Sequence, residues 1–287
     1  MPAPDLAAHL APPDPATPPL PPAALADEDV RMLRAVPYCV RDGSRPLELD
    51  LWLPVGPPAR PLPAVVFVHG GAWRTGLRDD MGPRLRAWRT TPFARLVRAG
   101  FAVACPDYRL SGEAVHPAQQ EDLAAALARL RTRGGELGLA AERPVLWGES
   151  AGGHLAALYA LTAGRTVAGC VVRYGPTDLT GAAAHTLEAL LLGHAAADDP
   201  DRAREASPSA HVGGEAPAFL LLHGADDTIV PVTQSRDLAA ALRAAGADVT
   251  FRAVPGADHL WTGAPDALVE EVFAQSVEFA GRIVRRR

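Results

Sequence analysis

The sequence predicts an α/β protein built on a mostly parallel central sheet flanked by helices. Three observations carry this expectation. Short, continuous apolar runs recur along the chain, stretches of helical period separate them, and glycine-rich turns follow several of the runs. A strand covered on both faces needs no polar alternation, so such runs belong to a buried parallel sheet. With 287 residues, 48% of them hydrophobic, the chain can bury one large core.

The first 30 residues are dense in proline, which disfavours helix and favours extended or polyproline II backbone. Residues 1–30 are therefore expected to form a flexible arm or a strap, with residues 31–287 as a single domain. The regular pattern begins near Val36. "LELDLWLP" at 47–54 alternates apolar and polar positions, the mark of a half-exposed antiparallel strand. Buried strands follow at "AVVFV" (64–68), "FAVAC" (101–105), "PVLW" (144–147), "VAGCVV" (167–172) and "AFLLL" (218–222), with "VTFRAV" (249–254) as the last. Between them, Pro117 opens a helix with Leu123, Leu127 and Leu130 on one face and a stop at Gly134 and Gly135. A second helix starts around Ser150, and a third runs from Thr233 to Ala245, closed by Gly246. The last covers 265–284, with Leu268, Val272, Phe273, Val277 and Ile283 as its apolar face. The segment 181–212 is too long for a turn. Its Leu187, Leu190, Leu191 and Leu192 read as a small helical cap beside the ligand site.

Charge and composition exclude several function classes. The net charge is −5, every basic residue is Arg, and no basic stripe is interleaved with aromatics, so nucleic acid is not an expected partner. No apolar run approaches the roughly 20 residues that span a bilayer. Cys39, Cys105 and Cys170 show no CxxC spacing and read as structural thiols. A basic segment followed by an uninterrupted apolar one is missing at the N-terminus. Together these point to a reducing, cytoplasmic location. His, Asp and Glu are too scattered to form a ligand cluster, so no metal and no cofactor are implied. A homodimer is left open.

In parallel sheets, ligands gather at the carboxyl ends of the strands. After the 64–68 strand comes "HGGAW", whose Gly70 and Gly71 leave backbone amides open to a substrate oxygen. After the 144–147 strand comes "GESAGG". Gly148 and Gly152 flank Ser150 as a sharp strand-to-helix turn requires, and the amide of Ala151 begins the helix. A serine hydroxyl attacks only when a base takes its proton and an acid orients that base. In this strand–turn–helix setting the order is Ser, acid, His. The 218–222 strand ends in "HGADDTIVP", and His259 in "PGADHLW" is the one histidine beyond it, so it is the base. The acid is Asp227, Asp226 or, after the 167–172 strand, Asp178. Asp258 is adjacent to the base and cannot easily bend back to its neighbour's ring.

"HGGAW", "PDYRL", "GESAGGHLA", "SPSAHV" and "HGADDTIVP" together resemble the hormone-sensitive-lipase-like and feruloyl-esterase-like (BD-FAE-type) carboxylesterases of the α/β-hydrolase superfamily, over roughly residues 45–284. The resemblance implies the α/β-hydrolase fold, Ser150 as nucleophile, His259 as base and Asp227 as acid. It also implies an oxyanion hole from the amides of Gly70, Gly71 and Ala151. Glu149 stands where many relatives carry Asp.

The remaining polar residues have expected structural roles. His69 should shape the oxyanion loop, His154 should be structural, and His223 should brace the acid loop. Arg109 should pair with Asp122. Trp73 is expected to line the acyl pocket or to cap the core. The stretch containing Arg74, Arg78, Arg84, Arg86 and Arg89 with Trp88 reads as a solvated face, or else as a lid for an anionic ligand. The expected function is hydrolysis of small, short-acyl carboxylic esters. Amide hydrolysis on the same apparatus is the alternative, and a non-catalytic binding protein is disfavoured by the presence of His259.

Overall fold

The computed structural model describes residue 14, residues 18–41 and residues 44–285. Most of the Pro-rich arm, 1–13 and 15–17, lies outside the described residues. The strands are β1 (Ala24–Asp27), β2 (Val30–Cys39), β3 (Leu47–Pro54), β4 (Leu62–Val68), β5 (Ala102–Pro106), β6 (Leu139–Glu149), β7 (Gly169–Arg173), β8 (Ala218–Gly224) and β9 (Val249–Val254). They form one sheet in the order β1-β2-β3-β5-β4-β6-β7-β8-β9. From β5 to β9 all neighbours are parallel, while β1, β2 and β3 enter antiparallel.

The helices are α1 (Pro83–Arg86), α2 (Pro92–Arg98), α3 (Ala118–Leu137), α4 (Ala151–Ala163), α5 (Leu187–Leu192), α6 (Pro200–Glu205), α7 (Thr233–Ala244) and α8 (Asp266–Arg285). They cover both faces of the sheet, which explains the continuous apolar runs. Alternate strand residues feed two separate cores. Val66, Val68, Leu146 and Val172 pack with α3, α4 and α7. Val65, Phe67, Val145 and Val171 pack with α2 and α8. Among the described residues, no helix is long and apolar enough to cross a membrane.

Several elements differ from the sequence expectation. The sheet begins at Ala24, inside the segment expected to be an arm. Strand β2 has no clean period-two signal because two irregularities, between Leu33 and Val36 and between Pro37 and Cys39, shift its register against β3. Ala35 sits at φ 55° within the first. Strand β3 is not half-exposed. Its Asp50 is 1% exposed, because the carboxylate accepts the Ala35 amide at 2.9 Å and faces Arg78 Nε at 3.4 Å. Helix α3 runs through Gly134 and Gly135 and stops at Gly138, which supplies the left-handed cap at φ 69°, ψ 35°. Gly134 has a packing reason to be glycine, since a Cβ there would lie 3.3 Å from the Leu139 carbonyl oxygen.

The described part of the arm packs against the C-terminal part of α3 and the core beneath β2 and β3. Arg133, near the C-terminal end of α3, donates to the Pro18 carbonyl at 3.0 Å, and Leu20 packs against Val36, Leu51 and Leu137. The 181–212 segment holds α5, α6 and a 3-10 turn at Pro208–His211. Leu191 and Leu192 are buried, whereas Leu187 and Leu190 are about two-fifths exposed, at 42% and 40%.

Candidate active site

Four parallel strands deliver the site. Val68 pairs with Gly148 across β4 and β6, so the loops starting at His69 and Ser150 leave the sheet side by side. The loops after β8 and β9 arrive beside them and carry Asp227 and His259.

Between β6 and α4 the backbone turns sharply. Ser150 occupies φ 50°, ψ −122°, a conformation that L-residues rarely adopt. Both flanking glycines are required by space. A Cβ on Gly148 would lie 2.1 Å from the Gly152 carbonyl oxygen, and one on Gly152 would lie 2.0 Å from that of Val68. The turn lifts the serine hydroxyl to 3.0 Å from His259 Nε2, and His259 Nδ1 lies 2.8 Å from Asp227 Oδ2. A carboxylate only accepts, so Nδ1 carries the proton and Nε2 accepts from the Ser150 hydroxyl.

Asp227 is held at every oxygen. Oδ1 accepts the amides of Ile229 at 2.9 Å and Val230 at 2.8 Å, while His223 Nε2 stands 3.3 Å from Oδ2. Burial by itself would raise the Asp227 pKa, but the bonds from His223, His259 and Val230 outweigh it and hold the group well below the usual carboxylate range. Of the three acids open from sequence, the structure brings only Asp227 to His259. Asp178 instead accepts from the Thr180 amide and hydroxyl at 2.9 and 2.6 Å, and Asp226 is exposed.

Asp258, set aside in the sequence, links the two loops. Its Oδ1 accepts the His259 amide at 2.7 Å and the Thr228 amide at 2.7 Å, so one carboxylate bridges the loops after β8 and β9. The only sequence signal for this is an Asp immediately before a short helical turn, a common capping position.

On the other flank, Gly70 and Gly71 line a cavity of about 550 Å³ together with Ser150, His259, Glu149, Leu77, Ile229 and Leu260. Ala151 is the first residue of α4, so its amide has no intrahelical carbonyl to bond. His69 shapes the loop after β4: its Nδ1 donates to the Gly70 carbonyl at 2.7 Å and its ring stacks on Tyr108 with centroids 4.4 Å apart. Gly76 then has to be glycine, because a Cβ there would lie 2.2 Å from His69 Nδ1. His223 braces the acid loop through Ser235 Oγ at 2.7 Å and the Val230 carbonyl at 2.8 Å. Arg109 forks onto Asp122 at 2.8–3.0 Å, as the sequence led us to expect.

Two expectations are corrected. Trp73 is not a substrate-binding residue: it is 2% exposed and packs inward, where its indole N–H finds a buried acceptor on His154 at 3.2 Å. No residue of 181–212 lines the Ser150 cavity. Thr186 and Glu188 of that segment instead line a neighbouring cavity of about 450 Å³, which meets the first at Ile229. The arginine-rich stretch agrees with the solvated-face reading: Arg74, Arg86 and Arg89 are exposed, and three of its five arginines are ion-paired. Arg78 binds Glu48 and Asp107, Arg84 binds Asp266, and Arg86 pairs with Asp80 on the cavity wall.

Glu149 was not anticipated as a wall of the site. It is 3% exposed, and its Oε2 accepts the Tyr174 hydroxyl at 2.9 Å. Burial pushes its carboxyl up to about 7, against the opposing pull of Arg173 and Tyr174. Among the described residues, no group of three His, Cys, Asp or Glu side chains could hold a metal ion.

Comparison with known proteins places this geometry in context. Esterase LipQ of Mycobacterium tuberculosis is 33% identical over 273 residues, covering 88% of this chain and 62% of that protein. Esterase LipC of the same organism is 31% identical, covering 74% and 56%. The chain therefore spans 62% and 56% of the length of these two relatives. A truncated carbohydrate esterase from gut microbiota superposes with a TM-score of 0.78 at 26% identity, covering 91% of this chain and 99% of that one. Esterase B from Lactobacillus Rhamnosis shares the fold, with a TM-score of 0.73 at 22% identity. The fold is the α/β-hydrolase fold. The BD-FAE family model matches residues 49–242, from β3 through most of α7, including Gly70, Gly71, Ser150 and Asp227. With that match over most of its length, the chain belongs to the BD-FAE family.

Proposed function

We propose that this protein is a serine hydrolase of small carboxylic esters with short acyl groups. The observation that carries the proposal is the unbroken relay from Ser150 Oγ through His259 to Asp227, opening on a cavity walled by Gly70 and Gly71. The esterase names of LipQ and LipC favour the same reading.

In the proposed cycle, His259 Nε2 takes the Ser150 proton as Oγ attacks the acyl carbon. The carbonyl oxygen becomes an anion facing the amides of Gly70, Gly71 and Ala151. Asp227 keeps the imidazole in the productive tautomer and stabilises the imidazolium. His259 then protonates the leaving alkoxide, giving the alcohol and an acyl-serine. Water, deprotonated by His259, attacks that ester, and Ser150 recovers its proton as the acid departs.

The short-acyl preference follows from the walls. A cavity of about 550 Å³ with no contribution from 181–212 leaves a long alkyl tail uncovered. Each uncovered methylene forgoes about 0.8 kcal/mol of transfer free energy. The three free cysteines suit the proposed cytoplasmic setting.

The test is fluorophosphonate labelling combined with a series of p-nitrophenyl esters and an N-formyl amide. A single adduct on Ser150, loss of labelling in Ser150→Ala, and a rate maximum at roughly two to six acyl carbons are expected. An unlabelled, folded protein would remove the hydrolase reading, and a rate still rising at twelve carbons would remove the short-acyl preference. Faster turnover of the amide would make the chain an amidase.

A further inference from the structure

The oxyanion loop has an unusual backbone. Gly71, Ala72 and Trp73 lie in succession at φ 109°, 55° and 56°, so two non-glycine residues hold left-handed conformations directly beside the proposed reaction centre. Such a run persists only where its surroundings over-determine it. The Ser111 amide holds the Trp73 carbonyl at 2.7 Å, and the inner side of the loop adds a side-chain tie. Trp73 turns its side chain into the core, and its indole N–H donates to His154 Nδ1 at 3.2 Å, with the rings edge-to-face at 5.2 Å. His154 Nε2 in turn donates to the Ala206 carbonyl at 2.7 Å, at the end of α6. The two partners leave the ring no tautomeric choice: Nδ1 accepts and Nε2 donates.

His154 is also one helical turn beyond the proposed nucleophile. Its backbone amide donates to the Ser150 carbonyl at 3.0 Å. One fully buried residue thus touches the nucleophile turn through its backbone, the oxyanion loop through one ring nitrogen, and the 181–212 segment through the other. The ring can serve only as a neutral linker, and burial holds its pKa down to about 3.

We propose that His154, acting through Trp73, is the positioning residue that sets the Gly70–Gly71 amides against Ser150 and ties them to the 181–212 segment. It rests on the hydrolase reading above. Without the tie, the left-handed run relaxes toward ordinary backbone, and the amides move from where the oxyanion forms. The ground-state ester is bound by the cavity walls, so the loss belongs to the transition state.

The experiment compares Trp73→Phe, His154→Leu, their double variant and His154→Gln on a short p-nitrophenyl ester. Trp73→Phe keeps a ring and deletes the donor. His154→Gln can still accept from Trp73 and donate to Ala206. The single variants should lose on the order of 10- to 100-fold in kcat, below the cost of deleting an oxyanion donor outright, with KM within about twofold. The double variant should be no worse than the poorer single, because the two residues act as one unit. His154→Gln should recover to within about threefold of wild type. If His154→Leu does not fold, Trp73→Phe and His154→Gln decide the matter alone. Wild-type kcat in folded Trp73→Phe, or a raised KM at unchanged kcat, overturns the tie. A wild-type protein that neither hydrolyses esters nor takes fluorophosphonate overturns the hydrolase reading instead.

Discussion

Ser150 sits at φ 50°, ψ −122°, and the cost of that backbone is borne by Gly148 and Gly152 on either side. The same residue-scale reasoning separates the carboxylates. Asp227 touches His259 and Asp178 does not. Asp227→Asn should therefore leave a folded protein with ester turnover reduced on the order of 10⁴-fold, because the amide favours the wrong imidazole tautomer. Asp178→Asn and Asp226→Asn should each stay within about tenfold of wild type, as expected for changes outside the proposed site. Steady-state rates at matched thermal stability check this. Glu149 gives a pH prediction. Its folded-state pKa of about 7 lies above the ordinary 4.5, so folding favours the protonated form. Its contribution to stability is complete below about 4.5 and is lost as pH rises to about 7. The melting temperature of Glu149→Gln, relative to wild type, should climb across that window and then level off. A flat difference between the two would show that the carboxyl titrates normally.

At the scale of elements, the proposed acid and base come from loops after different strands, and a hydrogen bond only forms if those loops agree in position. Asp258 supplies the agreement, joining the Thr228 amide to the His259 amide. Those same bonds, led by the Thr228 amide, lower its pKa, so the clamp keeps its charge. Asp258→Ala should free both loops and lower kcat on the order of tenfold, as misplacement of a reacting group does. Asp258→Asn, which keeps one acceptor oxygen, should lose less. Equal losses in the two variants would point to a role for the charge itself.

At the scale of the molecule, the sheet order puts β4 and β6 at the centre, with β8 and β9 delivering the remaining residues from one side. The antiparallel β1–β3 edge lies on the other side. Leu20 packs against the core beside Val36, Leu51 and Leu137 and lines no part of the Ser150 cavity. Leu20→Ser should therefore lower thermal stability by about 1 kcal/mol while leaving kcat and KM on short esters unchanged. Calorimetry and kinetics on the same preparation test it, and a changed KM would place the arm's influence at the mouth after all.

The sequence by itself determined the parallel strands, the proposed nucleophile Ser150 and base His259, and the glycines that the turns require, while it left the acid open among Asp227, Asp226 and Asp178. Continuous apolar runs report burial on both faces, and Gly148 and Gly152 report a backbone approach within one turn. Tertiary structure alone decided the rest. Asp50 is buried because Ala35 and Arg78, remote in sequence, satisfy it. The bulges in β2 erase its period. Trp73 faces inward because His154, 81 residues away, offers an acceptor. Asp258 clamps two loops whose proximity no spacing records. In every such case a polar group chooses its conformation by a partner distant in the chain, and the partner exists only once the sheet has assembled.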